Sequence, residues 1–403
     1  MNATIPSNAA GTIERTTAAE GRAGGRARRE PHLPKKLPQC FEFGETLRGR
    51  WTIKSELGHG GFGYIYRAYD SKFERDVAVK AAVRIREKDN ARMYIEYKIG
   101  GYYERGIIHQ CSELKLKHFV RFYGCGEEPI SSPRINFIVM QIVAKNLTEV
   151  RRDLPEKRMS PATALRTAYQ ATEALRDLHN TIHYIHRDIK PSNMAFGADE
   201  QHKRIMYLFD FGLARCWINK DTNQQLEQRS GHVGFRGTAR YASIRCNQRM
   251  DQCRADDLVS VWFGAIELMN SQLPWRMLKD DEIGPAKVDY VNNEAKFQKM
   301  CGRAPPLYRE VGRYLLSLTF SSEPNYQYVL DSIDQCLREY NVTHNSPLDW
   351  ELTVQPPHDK SQKTAKHPSN FEPHHHQQPR DSPPNLPAGH VISQEIYLKQ
   401  QQQ

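Results

Sequence analysis

Between residues 51 and 143 the apolar positions fall into short runs, at 51–57, 64–69, 77–83, 119–123 and 137–143, rich in aromatic and β-branched residues. Runs of that length bounded by turn residues predict strands, and a helical pattern interrupts them only around 91–103. From Leu147 onward the period changes. Over 162–180, Leu165, Ala168, Ala171, Thr172, Leu175 and Leu178 recur at spacings of three and four, which makes one buried helical face. The expectation is an α+β fold of two lobes, a small β-rich one followed by a larger helical one, with a ligand cleft between them.

The flanks lack both periods. Residues 1–40 are rich in Ala, Gly, Thr and Arg and are expected to be a disordered basic leader. Residues 345–403 hold nine of the 23 prolines, a His374-His375-His376 run and a terminal Gln tract, and are expected to be a disordered tail. A folded domain is therefore expected over 41–344, with lobes at about 45–143 and 144–341. The longest apolar run, 137–144, has eight residues and includes Gln141, against the roughly twenty that a membrane span needs. With arginines at 22, 26, 28 and 29 in place of a signal core, and eight cysteines that never form C-x-x-C, the reading is of reduced thiols in the cytoplasm or nucleus. The net charge of +10 lies mostly in the folded part. That balance is compatible with nucleic acid, but no recognisable nucleic-acid module accompanies it, and an acidic or phosphorylated substrate explains it as well.

Gly58-His59-Gly60-Gly61-Phe62-Gly63 fits G-x-G-x-x-G, a weak signal alone because glycine clusters also mark turns. Tyr64-Ile65-Tyr66 follows, which favours a strand over the helix that a dinucleotide fold requires. A glycine hairpin between two strands can instead cover a nucleotide's phosphates, because its backbone N–H groups can come close. Lys80 ends the run Val77-Ala78-Val79-Lys80, 22 residues past Gly58. It can place an ammonium on those phosphates if a helix carboxylate holds it. Glu96 is the chosen carboxylate, with Glu87 and Glu104 as competitors; a surface glutamate is the bland reading of each.

The most specific string is His186-Arg187-Asp188-Ile189-Lys190-Pro191-Ser192-Asn193, close to H-R-D-L-x-x-x-N. Its spacing lets one loop aim a carboxylate at a substrate hydroxyl and an amide at a metal ion. Seventeen residues past the asparagine, Asp210-Phe211-Gly212 follows an apolar run, which puts a metal-binding carboxylate at a strand end.

These strings resemble the eukaryotic protein kinases over residues 45–341. Lys190 resembles the serine/threonine class. Gly237-Thr238-Ala239-Arg240-Tyr241-Ala242-Ser243-Ile244, Arg254-Ala255-Asp256-Asp257-Leu258 and Leu273-Pro274-Trp275 look like the casein kinase I family. Val139-Met140-Gln141, Phe235-Arg236-Gly237-Thr238 and Pro324-Asn325-Tyr326-Gln327-Tyr328 are most similar to its tau-tubulin kinase branch. The resemblance implies a monomeric enzyme that uses ATP and Mg2+ to phosphorylate protein serine or threonine. It assigns Asp188 as proton acceptor, Lys190 as the residue steadying the transferred phosphate, and Asn193 and Asp210 as magnesium ligands. Leu57, Gly58, Gly60, Gly63, Ile65, Ala78, Lys80, Met140, Gln141 and Val143 are assigned to the nucleotide. Thr238 would contact the catalytic aspartate beneath the substrate, and His186 would hold the loop.

Two departures accompany the resemblance. About ten extra residues fall between Glu96 and Phe122, and Trp262 stands where the pattern usually has glycine. They favour the alternative reading, a catalytically silent scaffold, whereas the complete set of reacting groups favours the enzyme. The segment 211–240 carries Arg215, Lys220, Arg229, Arg236 and Arg240 against Asp221 and Glu227. With Arg236 and Arg240 flanking Thr238, acidic or previously phosphorylated peptides are the expected substrates, and Lys287 is a weaker candidate for a second basic contact.

Overall fold

The computed structural model describes residues 39–60, 63–83, 104–128 and 135–352. The small lobe is a six-stranded antiparallel sheet in which β1 (Thr46–Leu47), β2 (Trp51–Gly60), β3 (Gly63–Asp70) and β4 (Arg75–Val83) follow one another as neighbours. Helix α1, described over 104–113, separates them from β5 (Phe122–Glu128) and β6 (Ile135–Met140), and the sheet order is β1-β2-β3-β4-β6-β5. Alternation along β3 buries Tyr64, Tyr66 and Ala68 against Ile53, Val79, Val139 and Phe137. Phe41 completes this core, its ring 5.8 Å from Tyr66 and 6.1 Å from Phe137, and Cys40 is buried with it. The core thus reaches back to the last residue assigned to the basic leader.

The strand expected over 119–123 lies further on, at β5. Phe119 instead bridges to Leu208 and stacks on Phe211 at 5.9 Å, so its apolar run packs in the cleft rather than extending the sheet. The helical pattern at 91–103 lies outside the described residues.

The large lobe opens with β7 (Val143–Asn146) and α2 (Leu147–Asp153), which is closed by a capping box between Asn146 and Glu149. Its central helix, α3 (Pro161–Asn180), starts where Ser160 accepts from the Thr163 N–H and Pro161 supplies a preset φ. All six positions of the expected apolar face are buried there. Four short strands follow: β8 (Tyr184–Ile185), β9 (Met194–Gly197), β10 (Met206–Leu208) and β11 (Arg215–Cys216). They pair as β10-β9-β7 and β11-β8, two small sheets that brace the loops between them. Helices α4 (Ile244–Asn247), α5 (Arg254–Asn270), α6 (Asp280–Asn292), α7 (Glu294–Cys301), α8 (Pro306–Ser317), α9 (Tyr326–Glu339) and α10 (Asp349–Leu352) complete the lobe, with α3 packed on α5 and α9. Among the described residues no helix is long and apolar enough to cross a membrane.

Trp262 is accommodated without disturbing α5. Its indole is buried, donates to the Tyr308 carbonyl at 3.1 Å and stacks on Phe297 at 5.9 Å. The space comes from Gly312 in α8, where a Cβ would lie 2.2 Å from the indole. One large residue is matched by one missing side chain.

The expected disordered tail does not begin at 345. Asp349 accepts from Ser160 N at 2.6 Å, Ser160 Oγ at 2.6 Å and Thr163 Oγ1 at 2.7 Å. Arg166 donates to the His344 and Pro347 carbonyls, Arg204 pairs with Glu351, and the Trp350 ring sits 5.2 Å from Phe196. Residues 344–352 are therefore a strap across the start of α3, held by charge-assisted bonds that a composition average hides.

Candidate active site

The loop that carries Asp188 starts at β8, where Ile185 pairs with Arg215 of β11. Arg187 has φ +68°, a left-handed conformation unusual for a side chain of this size. The buried carboxylate of Asp257, in the first turn of α5, holds that turn. It accepts from His186 N at 2.6 Å and Arg187 N at 2.9 Å, and pairs with His179 Nε2 at 3.0 Å. Burial alone would raise the Asp257 carboxyl, but the His179 hydrogen bond, the charges of His179 and His186 and the His186 N–H bring it below its ordinary value. Burial also lowers His179, although Asp257 opposes it. His186 acts structurally: its Nε2 meets the Phe209 carbonyl at 3.2 Å and its Nδ1 accepts from Asp188 N at 3.2 Å.

Asp188 is fixed at both oxygens. Thr238 Oγ1 donates to Oδ1 at 2.7 Å and Lys190 Nζ to Oδ2 at 2.6 Å. Lys190 also reaches Thr238 Oγ1 at 3.2 Å, which closes a triangle around the carboxylate. Gly237 makes that approach possible. Its φ is +106°, and a Cβ there would lie 2.4 Å from the Arg187 carbonyl.

Lys80 faces this cluster from β4, in register with Ile65 and Ile138. Its ammonium donates to Glu104 Oε1 at 2.7 Å and Oε2 at 2.9 Å, and to Asp210 Oδ1 at 2.8 Å. Glu104, at the start of the described part of α1, is thus the carboxylate that holds Lys80, which corrects the choice of Glu96. Three close oxygens already satisfy the three N–H groups of an ammonium. Glu96 lies outside the described residues, as do Gly61 and Phe62, and the extra residues now fall largely before the pairing carboxylate. Burial raises the Glu104 carboxyl against the pull of Lys80; burial would lower Lys80, but Asp210 and Glu104 together keep it above its ordinary value.

Asp210 sits at φ +69° and ψ +67°, a strained conformation of the kind found at working sites. Phe211 anchors it, packed between Phe119 and His186 at 5.9 and 5.1 Å. The Phe209 N–H donates to the Asn193 carbonyl at 3.1 Å and ties the segments of Asn193 and Asp210 together. Asn193 Nδ2 is spent on the Asp188 carbonyl at 2.9 Å, and Asp210 Oδ1 on Lys80. Asn193 Oδ1 and Asp210 Oδ2 carry no hydrogen bond among the described residues. Two such oxygens are the hard donors magnesium prefers, so the residues present fit that ion.

Around the nucleotide positions, Ala78 and Met140 are buried opposite each other in the β4/β6 register, while Leu57 is exposed on β2. Ile65 pairs with both Gly58 and Lys80. The Gln141 N–H is taken by the Arg121 carbonyl at 2.9 Å, and Val143 lies opposite Gly197. Gly58 faces open space, and Gly60 pairs with Gly63. A Cβ on Gly63 would meet the Ala81 carbonyl at 2.0 Å, so that glycine is required by the sheet itself.

The basic residues divide. Arg240 is about one-third exposed and approaches Glu267 only loosely, at 3.7 Å. Arg236 gives its carbonyl to Gln252 Nε2 at 3.0 Å. Lys287 is fully buried and spends its ammonium on the Ala239 and Ala242 carbonyls and on Asn247 Oδ1, with burial pushing it down to about 7. The expectation of a substrate contact at Lys287 is therefore corrected: it braces the groove from within. Arg215 and Arg229 are both bound to Asp251, an acid outside the 211–240 window, which makes the groove less basic than that window implies.

A lysine held by a helix glutamate, facing an aspartate fixed by lysine and threonine, is the arrangement of a phosphoryl-transfer cleft. The pattern of the protein kinase domain matches residues 51–338. The chain belongs to the protein kinase family. It is 32% identical over 314 residues to a probable serine/threonine-protein kinase of Dictyostelium discoideum, covering 77% of this chain and 58% of that protein. It is 29% identical to a putative casein kinase I of Caenorhabditis elegans, over 76% of this chain and 85% of the relative. A probable casein kinase I homolog of Encephalitozoon cuniculi is also 29% identical, over 74% and 92% of the two chains. The kinase is thus of casein kinase I type, a serine/threonine protein kinase for which ATP and magnesium are the implied co-substrate and metal.

Proposed function

We propose that this kinase phosphorylates serine or threonine in acidic or already phosphorylated protein segments, in the cytoplasm or nucleus. In this reading Asp188 takes the proton of the acceptor hydroxyl, with its carboxylate held by Thr238 and Lys190. Lys190 is then placed to steady the phosphoryl group. Lys80, oriented by Glu104, binds the nucleotide phosphates beneath the glycine hairpin of Gly58, Gly60 and Gly63. The base lies against Leu57, Ile65, Ala78 and Met140, donating a hydrogen bond to the Gln141 carbonyl and hydrogen-bonding the backbone of Val143. Asn193 and Asp210 would hold magnesium, which when bound neutralises charge on the phosphates.

The observation that carries the substrate preference is Arg240. It lies two residues from Thr238, part-exposed, with a loose ion pair to Glu267 at 3.7 Å and its guanidinium 5.9 Å from the Tyr241 ring centroid, so its planar fork can take a phosphate or carboxylate. A degenerate peptide array scored around the accepted residue tests this, together with Arg240→Ala. The expected result is selection for acidic or phosphorylated neighbours and a KM for a phosphorylated peptide that rises far more than that for its unmodified form. Selection for basic neighbours would overturn it.

A further inference from the structure

Residues 239–242 follow Thr238 and include Arg240, and one buried side chain takes up two of their four carbonyls. Lys287, in the middle of α6, is fully buried, and its ammonium donates to the Ala239 carbonyl at 2.8 Å, to the Ala242 carbonyl and to Asn247 Oδ1 at 3.0 Å. Gly284, one turn earlier, lets α6 come this close: a Cβ there would lie 3.0 Å from the Asn247 Cβ. Trp275 Nε1 donates to the intervening Arg240 carbonyl at 2.8 Å. Thr238 is tied into the same turn, because its carbonyl accepts from Tyr241 N at 3.0 Å and Ala242 N at 3.1 Å. Lys287 thus reaches Asp188 through Ala242, Thr238 and the Thr238 Oγ1 bond to the carboxylate.

No acid answers this charge. From 239–242, Arg240 lies 3.7 Å from Glu267 of α5, whose other oxygen accepts from Tyr241 Oη at 2.7 Å. Asp256 of α5 is bound to Ser243 Oγ and Cys253 N. From α4 come Arg245, 3.8 Å from Asp256, and Cys246, whose thiol burial keeps neutral by raising it well above its ordinary value. On α6 itself Asp280 and Asp281 are exposed in the first turn, Glu282 accepts from Lys279 N, Asp289 pairs with Lys296 of α7, and the Tyr290 ring meets Trp275 at 6.1 Å. Among the described residues none of these acids forms an ion pair with Lys287. The rings of Phe263 and Trp275 lie 5.0 and 5.3 Å from its ammonium. Carbonyl dipoles and ring faces offset part of the cost of burying the charge, and burial pushes the group down to about 7.

An ammonium has three N–H groups for these three acceptors. A neutral amine has two, and its lone pair would face the third oxygen, which leaves a buried acceptor unpaired.

We propose that Lys287 is a positioning residue: as an ammonium it holds residues 239–242 in their peptide-binding arrangement, and loss of its proton loosens them and weakens peptide binding. The proposal rests on the kinase reading above and adds a control of peptide affinity at that site. Because Lys287 is held below its ordinary value, the unfolded chain binds this proton between about 7 and that value while the folded chain does not, so its contribution to global stability rises with pH. The grip on 239–242 falls over the same range. Peptide affinity and stability therefore move in opposite directions, which a general loosening of the fold would not produce.

The test measures transfer by the full-length chain to an acidic peptide free of phosphate and histidine, for wild type and Lys287→Met. Wild-type KM for peptide is expected to rise about fivefold from about pH 6 to about pH 8, with no loss of folded protein. Lys287→Met should show the higher KM throughout and no such rise, with KM for ATP equal to that of wild type. NMR of isotope-labelled lysine in the folded wild type should show one side chain titrating near neutral pH, a reading that stands even if Lys287→Met fails to fold. A flat wild-type KM would overturn the proposal. So would a rise that persists in folded Lys287→Met, a rise that tracks unfolding, or the absence of any lysine titrating below about pH 9. No transfer at any pH would sink the kinase reading itself.

Discussion

Lys80 and Asp188 face each other across the cleft, yet they are supported in different ways. The ammonium of Lys80 depends on two carboxylates 24 and 130 residues away, one on a helix and one after a strand, brought together only when the lobes pack. Asp188 takes one bond from Lys190, two residues on, and a second from Thr238; its loop is pinned from below by Asp257. The nucleotide side is therefore assembled by contacts between the two lobes, whereas the acceptor side is held by contacts within the large lobe alone. A shift of α1 would disable the first and leave the second standing.

The largest effect should come from removing charge on the nucleotide side. Lys80→Met and Asp210→Asn are each expected to cut phosphoryl transfer by about 10²–10³ or more, because electrostatic stabilisation is the main contribution the protein makes to this chemistry. Radiolabelled transfer to casein, with circular dichroism to show the fold retained, measures it. Wild-type turnover in a folded Asp210→Asn protein would break the account of this side.

Glu104→Gln comes next and sharpens the comparison, since Glu104 acts only through Lys80. A loss of about 10–10² in kcat/KM is expected, expressed in KM for ATP as well as kcat. Glu96→Gln should stay within about twofold of wild type, because the three N–H groups of the Lys80 ammonium are satisfied without it. The reverse ranking would return the pairing role to Glu96.

On the acceptor side, Gly237→Ala places a methyl group 2.4 Å from the Arg187 carbonyl in a conformation that disfavours side chains, a strain of about 1–3 kcal/mol. Relief by moving Thr238 away from Asp188 should raise KM for peptide several-fold while KM for ATP holds. Equal changes in both would mean that the two sides are not independent.

What could be read from the sequence follows the same division. The run from His186 to Asn193 and the Asp210-Phe211-Gly212 triplet are short, so their chemistry is visible in consecutive residues. Glu104 was only one of three glutamates near a helical pattern, and nothing local distinguishes the one that docking will bring to Lys80. The anchors are less visible still. Asp257 with His179, and Asp251 with Arg215 and Arg229, are single buried acids whose partners lie 78, 36 and 22 residues away, which leaves no periodic trace. Lys287 carries no sign of burial, because its acceptors are mostly backbone carbonyls. Trp262 stood out as a departure, but Gly312, which accommodates it, became meaningful only once the two helices were packed.

The smallest effect should come from the strap, which lies away from the cleft. Its proline-rich surroundings concealed Asp349 and Trp350, yet Asp349 closes the hydrogen bonds of Ser160 and Thr163 at the first turn of α3, the helix on which α5 and α9 pack. We therefore expect a chain cut to 39–352 to match the full-length protein in both stability and peptide turnover, consistent with dispensable flanks. A chain cut to 39–344 removes the acid but leaves its partners, and should lose about 2–3 kcal/mol in urea unfolding, the scale of hydrogen bonds to a charged group. Its kcat at 25 °C should be nearly unchanged, because none of the groups around Lys80 or Asp188 touches the strap. Equal unfolding midpoints for the two truncations would show that the strap adds no stability, and a large fall in kcat for the shorter one would tie α3 to the catalytic loop more tightly than the contacts through Asp257 imply.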